Sequence, residues 1–166
     1  MSEQTNQQQD FSVESIDKDA LVKNYLELVE GKLQQEQIDS NVEAIKSMLS
    51  AQKEYKCDGE VVAAVFYAMV KVHVDKTPSN RGGNFTGHPG GIGIGAGKFW
   101  GKLYTNDLEK VYAETTSFAF TFTPTPIASA VYFHDKHNNT LGYVSCAGVM
   151  PILGGGSGSG KWKDVK

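Results

Sequence analysis

Glycine at every second position constrains this chain more than any other feature: Gly91, Gly93, Gly95 and Gly97, then Gly154, Gly156, Gly158 and Gly160. A period of two is the period of a strand, so alternate glycines strip one face of a strand of its side chains. A helix would be weakened by so many glycines, and a flexible linker would not carry the intervening Ile92, Ile94, Phe99 and Trp100. The pattern predicts a mainly β protein: an antiparallel sheet curved into a closed barrel, with aromatic rings filling the glycine face.

At 166 residues, 40% hydrophobic and 21% charged, the chain is sized for one well-packed globular domain. A formal net charge of −3, with the lysines not gathered into one block, gives no electrostatic footprint for DNA or RNA, so no nucleic-acid partner is expected. No apolar run reaches the roughly 20 residues of a membrane-spanning helix, and no transmembrane segment is expected. Met1 to Asp10 is polar and glutamine-rich, without the basic and apolar stretches of a secretory signal. The expectation is a protein that is cytoplasmic as synthesised, with any export by a non-classical route.

Residues 1–15 hold little that is apolar to offset the entropy of ordering and read as a disordered tail. Residues 16–54 read as a helical hairpin packed on the barrel. Asp17 caps a first helix with Leu21, Tyr25 and Leu28 on one stripe, Ile16 staples onto Leu21, and Gly31 stops it. A second helix carries Ile38, Val42, Ile45 and Leu49, with Ser40 and Glu43 as a capping box near its start. These apolar stripes suit a docking surface or a cover for one side of the barrel, and the sheet's need for shielding favours the cover.

Residues 55–163 hold the barrel. Cys57 to Asp75 is either two strands or one bent strand, with Val70, Val72 and Val74 sharing a face. Lys76 to Pro89 reads as loop from its Gly, Asn and Pro content, and the glycine strand Gly91 to Gly97 then takes Lys98 to Thr105 as its hairpin partner. Asn106 and Glu109 read as the capping box of a short helix with Leu108, Val111 and Tyr112 on one side. Phe118, Phe120 and Phe122 alternate with Ser117, Ala119 and Thr121, a half-buried strand with its phenylalanines inward, ended by Pro124 and Pro126. Ile127 to His134 pairs with Leu141 to Met150 across a turn, and Ile152 to Trp162 supplies the last strand, for seven or eight in all. A pore-forming hairpin would also alternate in this way, but one strand ended by prolines suits a soluble barrel better.

Four constellations could carry chemistry, and each has a plainer reading. Gly155 to Lys161 has the spacing of a phosphate loop, yet Trp162 stands where Ser or Thr should hold magnesium, and too few residues follow to form the helix that cradles phosphate. Gly91 to Gly97 misses the dinucleotide-binding pattern. His134 and His137 flank Asp135 as a metal pair would, but all three are ordinary turn residues, and a third ligand from His73 or His88 has no support in spacing. Cys57 or Cys146 beside a histidine would make a nucleophile and base, while the surrounding residues read as sheet interior and two buried free thiols. The expectation is a protein that is not an enzyme, with no catalytic, cofactor-binding or metal-ligating residue.

Leu103-Tyr104-Thr105-Asn106-Asp107-Leu108, Val111-Tyr112, Glu114-Thr115, Ser117-Phe118, Phe133, Asp135-Lys136-His137-Asn138, Leu141 and the Gly154 to Trp162 ending resemble the virulence-associated protein (Vap) family of rhodococci. The similarity spans roughly Gly95 to Trp162. It implies a compact eight-stranded Greek-key barrel with a short helix between strands, in proteins with no established enzymatic activity that support bacterial virulence. Relatives of this barrel in Gram-negative bacteria include accessory proteins of cytotoxin operons, of the MakD type. The resemblance thus implies action through binding of a protein or lipid partner, a toxin component among them. A lipocalin-style carrier of a small apolar ligand is the alternative, and it requires an internal cavity.

Overall fold

The computed structural model describes residues 18–51, 53–64, 67–90, 95–122, 129–147 and 154–166. Eight antiparallel strands close into a barrel: β1 (Glu54–Ala64), β2 (Tyr67–Val74), β3 (Gly83–Pro89), β4 (Gly95–Tyr104), β5 (Ser117–Phe122), β6 (Ser129–His134), β7 (Thr140–Ala147) and β8 (Gly154–Lys163). Their order around the barrel is β1-β2-β3-β8-β5-β6-β7-β4, so the links β3 to β4, β4 to β5 and β7 to β8 join strands that are not neighbours. Helices α1 (Lys18–Val29) and α2 (Gln35–Ala51) precede the barrel, and α3 (Leu108–Glu114) lies between β4 and β5.

Glycines and rings fit together as the alternation predicts. Phe118, Phe120 and Phe122 of β5 stand opposite Gly158, Gly156 and Gly154 of β8. A Cβ on Gly156 would lie 3.1 Å from Phe120 Cε1, and one on Gly160 only 2.5 Å from Phe85 Cζ. Phe85 sits at ring-centroid distances of 5.3 Å from Phe118, 4.9 Å from Phe133 and 5.6 Å from Trp162, near edge-on or tilted. Valines and leucines from β1, β2, β4, β6 and β7 complete this interior. Burying each such side chain contributes roughly 1.5–3 kcal/mol, so the barrel holds a full hydrophobic core of its own.

Several boundaries differ from the sequence reading. Cys57 to Asp75 forms two strands, β1 and β2, in register through Cys57 and Val74. Part of the expected Lys76 to Pro89 loop is strand β3, which pairs with β2 and β8 and buries Phe85. Its glycines mimic loop composition, but a Cβ on Gly87 would strike Phe118, so the glycine is there for close approach. Lys98 to Tyr104 is no hairpin partner of Gly95 and Gly97: all belong to the single strand β4, paired with β1 and β7. The start Gly91 to Ile94 lies outside the described residues, as do the tail 1–15, the Asp17 cap and the two prolines Pro124 and Pro126.

Caps moved as well. Helix α3 is capped by Asp107, whose carboxylate accepts from the Lys110 N–H, one residue later than the expected Asn106. Glu109 instead pairs with Arg81 across the barrel end. Helix α2 starts at Gln35, so Ser40 and Glu43 lie inside it and form no capping box. Gly31, at φ 77°, does end α1 in the left-handed conformation that glycine tolerates.

The two helices lie on the outside of the barrel. Leu21, Tyr25 and Val29 of α1 join Ile38, Ile45, Met48 and Leu49 of α2 over Tyr104, Ala130, Tyr132 and Tyr143. This layer shares no buried residue with the barrel interior, so the molecule has two adjacent cores.

Candidate functional site

Inside the barrel the side chains that could react are sealed. Cys57 and Cys146 are free, buried thiols. Both stand in register with Gly101, from opposite sides of β4, which puts two strand spacings, about 10 Å, between their backbones. A disulfide spans no more than about 7 Å, so the pair cannot join without moving the sheet. Burial pushes both thiols well above their ordinary range, which removes nucleophilic character. Gly155 to Lys161 lies within β8, an extended strand with no helix to present amides to a phosphate.

His134 differs most from its sequence reading. It is the last residue of β6, buried at 5% exposure beneath the helical layer, rather than a turn residue. His137 is exposed in the turn, and Asp135 is spent on that turn: its Oδ1 accepts from the N–H groups of His137 at 2.8 Å and Asn139 at 2.9 Å. These bonds hold the Asp135 carboxyl below its ordinary range despite the opposing pull of burial. The three residues therefore do not converge on a shared point. A sequence signal for the burial of His134 existed: β6 reads Ser-Ala-Val-Tyr-Phe-His without polar alternation, the mark of a strand covered on both faces.

A polar network ties the helices to this corner. Tyr25 Oη lies 3.0 Å from His134 Nε2 and accepts from Asn41 Nδ2 at 2.7 Å. Asn41 Nδ2 also reaches the Asn138 carbonyl at 2.8 Å, and its Oδ1 accepts from the Thr140 N–H at 3.0 Å. Gln37 Nε2 adds a bond to Asn139 Oδ1 at 2.9 Å, and Tyr132 Oη donates to the Leu21 carbonyl at 2.9 Å. Burial pushes the His134 imidazole down to about 4 against the mild upward pull of Asp135.

On the outer surface, Asp58, His73 and Asp75 bring a ligand atom each within 4.8 Å of one another. His73 Nδ1 bonds Asn84 Oδ1 at 2.7 Å and its Nε2 faces Asp75 at 3.5 Å, so both ring nitrogens already have protein neighbours in this surface group. His88 rests on the Ala68 carbonyl and the Tyr67 ring, far in sequence and in bonding from this cluster. Tyr67 and Trp100 are the largest exposed rings among the described residues, at 52% and 50%. No described helix is long and apolar enough to cross a membrane.

The geometry is that of a closed, ring-filled antiparallel barrel, and among the described residues the exposed aromatic rings Tyr67 and Trp100 lie on its outside. The chain belongs to the Rhodococcus equi virulence-associated protein family, whose model matches residues 5–163. That match extends well beyond the Gly95 to Trp162 segment that carries the motifs. Among solved structures, the virulence-associated protein VapD from the intracellular pathogen Rhodococcus equi is similar at 38% identity and a TM-score of 0.62, covering 67% of this chain and 97% of its own. VapB from the same pathogen is similar at 33% identity and a TM-score of 0.57, covering 67% and 96%. No curated protein matches. The matched share of this chain is about the size of its barrel.

Proposed function

We propose that the chain is a non-enzymatic virulence-associated protein that acts by docking one end of its barrel on a lipid surface. The contrast between the two barrel ends carries the reading. Because successive strands run in opposite directions, the links β1–β2, β3–β4, β5–β6 and β7–β8 all join strand ends at the same end. Their sequences, Val65-Phe66, Gly90 to Ile94, Thr123 to Ala128 and Gly148 to Leu153, contain no charged residue and are rich in Ile, Gly and Pro. The opposite end is joined by Asp75 to Gly82, Thr105 to Thr116 and Asp135 to Asn139, which carry Asp, Glu, Lys, Arg and His. Exposed Tyr67 begins β2 at the uncharged end, and Lys98 follows soon after β4 begins there, the amphipathic and cationic company that an interfacial surface uses.

Co-sedimentation with phosphatidylcholine vesicles, with and without an anionic lipid, tests this. Binding is expected in at least one arm, and Ile92→Glu together with Ile152→Glu should abolish it. Failure to bind either vesicle would overturn the reading in favour of a protein partner, of which a toxin component is the first to try. An internal carrier role is disfavoured by rings packed about 5 Å apart where its cavity would be. Both thiols are enclosed in the barrel and His134 faces the helices, so none of the three is presented to a substrate.

A further inference from the structure

We propose that α1 and α2 form an acid-releasable cover, held on the β4–β7–β6 face at neutral pH by Tyr25 and Asn41 and freed when His134 takes up a proton. The order of protons in the network carries this. Asn41 has only N–H donors on Nδ2, so Tyr25 Oη accepts there, and its own proton is left for His134 Nε2. Burial raises the Tyr25 hydroxyl, which keeps that proton in place. Nε2 must then be the acceptor, which requires a neutral ring. A second proton would set Nε2–H against Tyr25 O–H and place a cation between two apolar layers.

Among the described residues only Asp135 favours that charge, and its pull is outweighed by burial. From α1 the ring meets Tyr25, and Lys32 just beyond α1 lines the same cleft of about 370 Å³ with His134, Leu28, Ser117 and Asn138. Lys32 brings like charge. From α2 it meets the network through neutral Asn41, from β5 the neutral Ser117, and from β7 the neutral Thr140. Asp135 is the nearest anion, but its oxygens already serve the turn, and His137 stands beside it.

Release of the helices is the response that costs least. The layer under them is separate from the barrel core, so the helices can leave without opening the ring-filled interior. The cover is also imperfect: Tyr143 Oη and Ser145 Oγ lie buried without a hydrogen-bond partner among the described residues. The sign follows from linkage. A histidine whose pKa is lower in the docked state gives full stability above about 6.5, and that stability drains away as pH falls towards about 4. Between pH 7 and pH 5 the open fraction of the helices rises about twentyfold on these values.

Amide exchange of the full chain, corrected for the intrinsic pH effect, reads this directly. Peptides from α1 and α2 should lose protection about twentyfold from pH 7 to pH 5 while β5 and β8 keep theirs, and in His134→Gln the pH dependence should disappear. Unchanged helix protection in the wild type, parallel loss across the barrel strands, or the same pH dependence in His134→Gln would each overturn the proposal. Should that variant fail to dock its helices at neutral pH, the wild-type His134 ring titration by NMR decides. A midpoint well below 6.5, coincident with shifts in α1 and α2, supports the switch, and a midpoint near 6.5 without them overturns it.

Discussion

Gly87 and Phe118 interlock inside the barrel: a Cβ on Gly87 would lie 2.4 Å from Phe118 Cε1 and 2.8 Å from Phe85 Cε2. Both rings are enclosed by other rings, so neither has room to give way. Gly87→Ala is therefore expected to destabilise the barrel by about 1–3 kcal/mol, the usual penalty of overpacking. Gly90→Ala, three residues on with nothing within 4 Å of its Cβ position, should stay within about 0.5 kcal/mol of the parent. Urea unfolding of the two variants side by side checks the contrast.

Phe120 is the middle ring of the β5 stripe, fully buried and 5.0 Å from Phe122. Its partner across the sheet is Gly156, which has no side chain to fill a vacated space. Phe120→Ala should cost about 3–5 kcal/mol, and Phe120→Leu clearly less, since it refills part of the volume. A loss below 1 kcal/mol for the alanine variant would mean that the glycine strand collapses onto the gap.

Neither thiol should behave as a reagent. Cys57 and Cys146 are expected to react with a thiol-specific dye only as fast as the barrel opens, and reductant should leave the unfolding midpoint unchanged. Rapid labelling of the native protein at neutral pH would contradict the burial of these residues.

What could be read from the sequence follows from which signals are local. The Phe118, Phe120 and Phe122 stripe and the Gly154 to Gly160 alternation each declare a strand by period alone, and the structure sets them opposite each other. Strand β3 was hidden because Gly83, Asn84, Gly87 and Pro89 spell a loop unless one knows that Phe118 and Trp162 crowd against that strand. His134 was hidden for a related reason. Its role depends on Tyr25, 109 positions away, and on a helical layer whose side of the barrel no spacing rule specifies. Asp107 was missed by one residue because Asn106 is as good a cap by type, and only backbone geometry chooses between them.

Asn41 joins three elements at once, and its replacement separates the two cores experimentally. Its amide donates to Tyr25 of α1 and to the Asn138 carbonyl, and accepts from the buried Thr140 N–H and from Gln37. Asn41→Leu keeps the volume while leaving the Thr140 N–H unpaired under the helices, at a cost of about 1–3 kcal/mol for that group alone. The cost falls on the interface and not on the ring-filled interior, because the bonds of Asn41 go to the helices and to the Asn138–Thr140 turn. Urea unfolding followed by helix circular dichroism and by the fluorescence of Trp162, buried in the barrel at 7% exposure, should therefore give two curves in this variant. The helix signal should be lost first, with the Trp162 midpoint near that of the parent. Two curves shifted together by the same amount would mean that helices and barrel unfold as one cooperative unit, because the cost of the orphaned amide would then be carried by both cores.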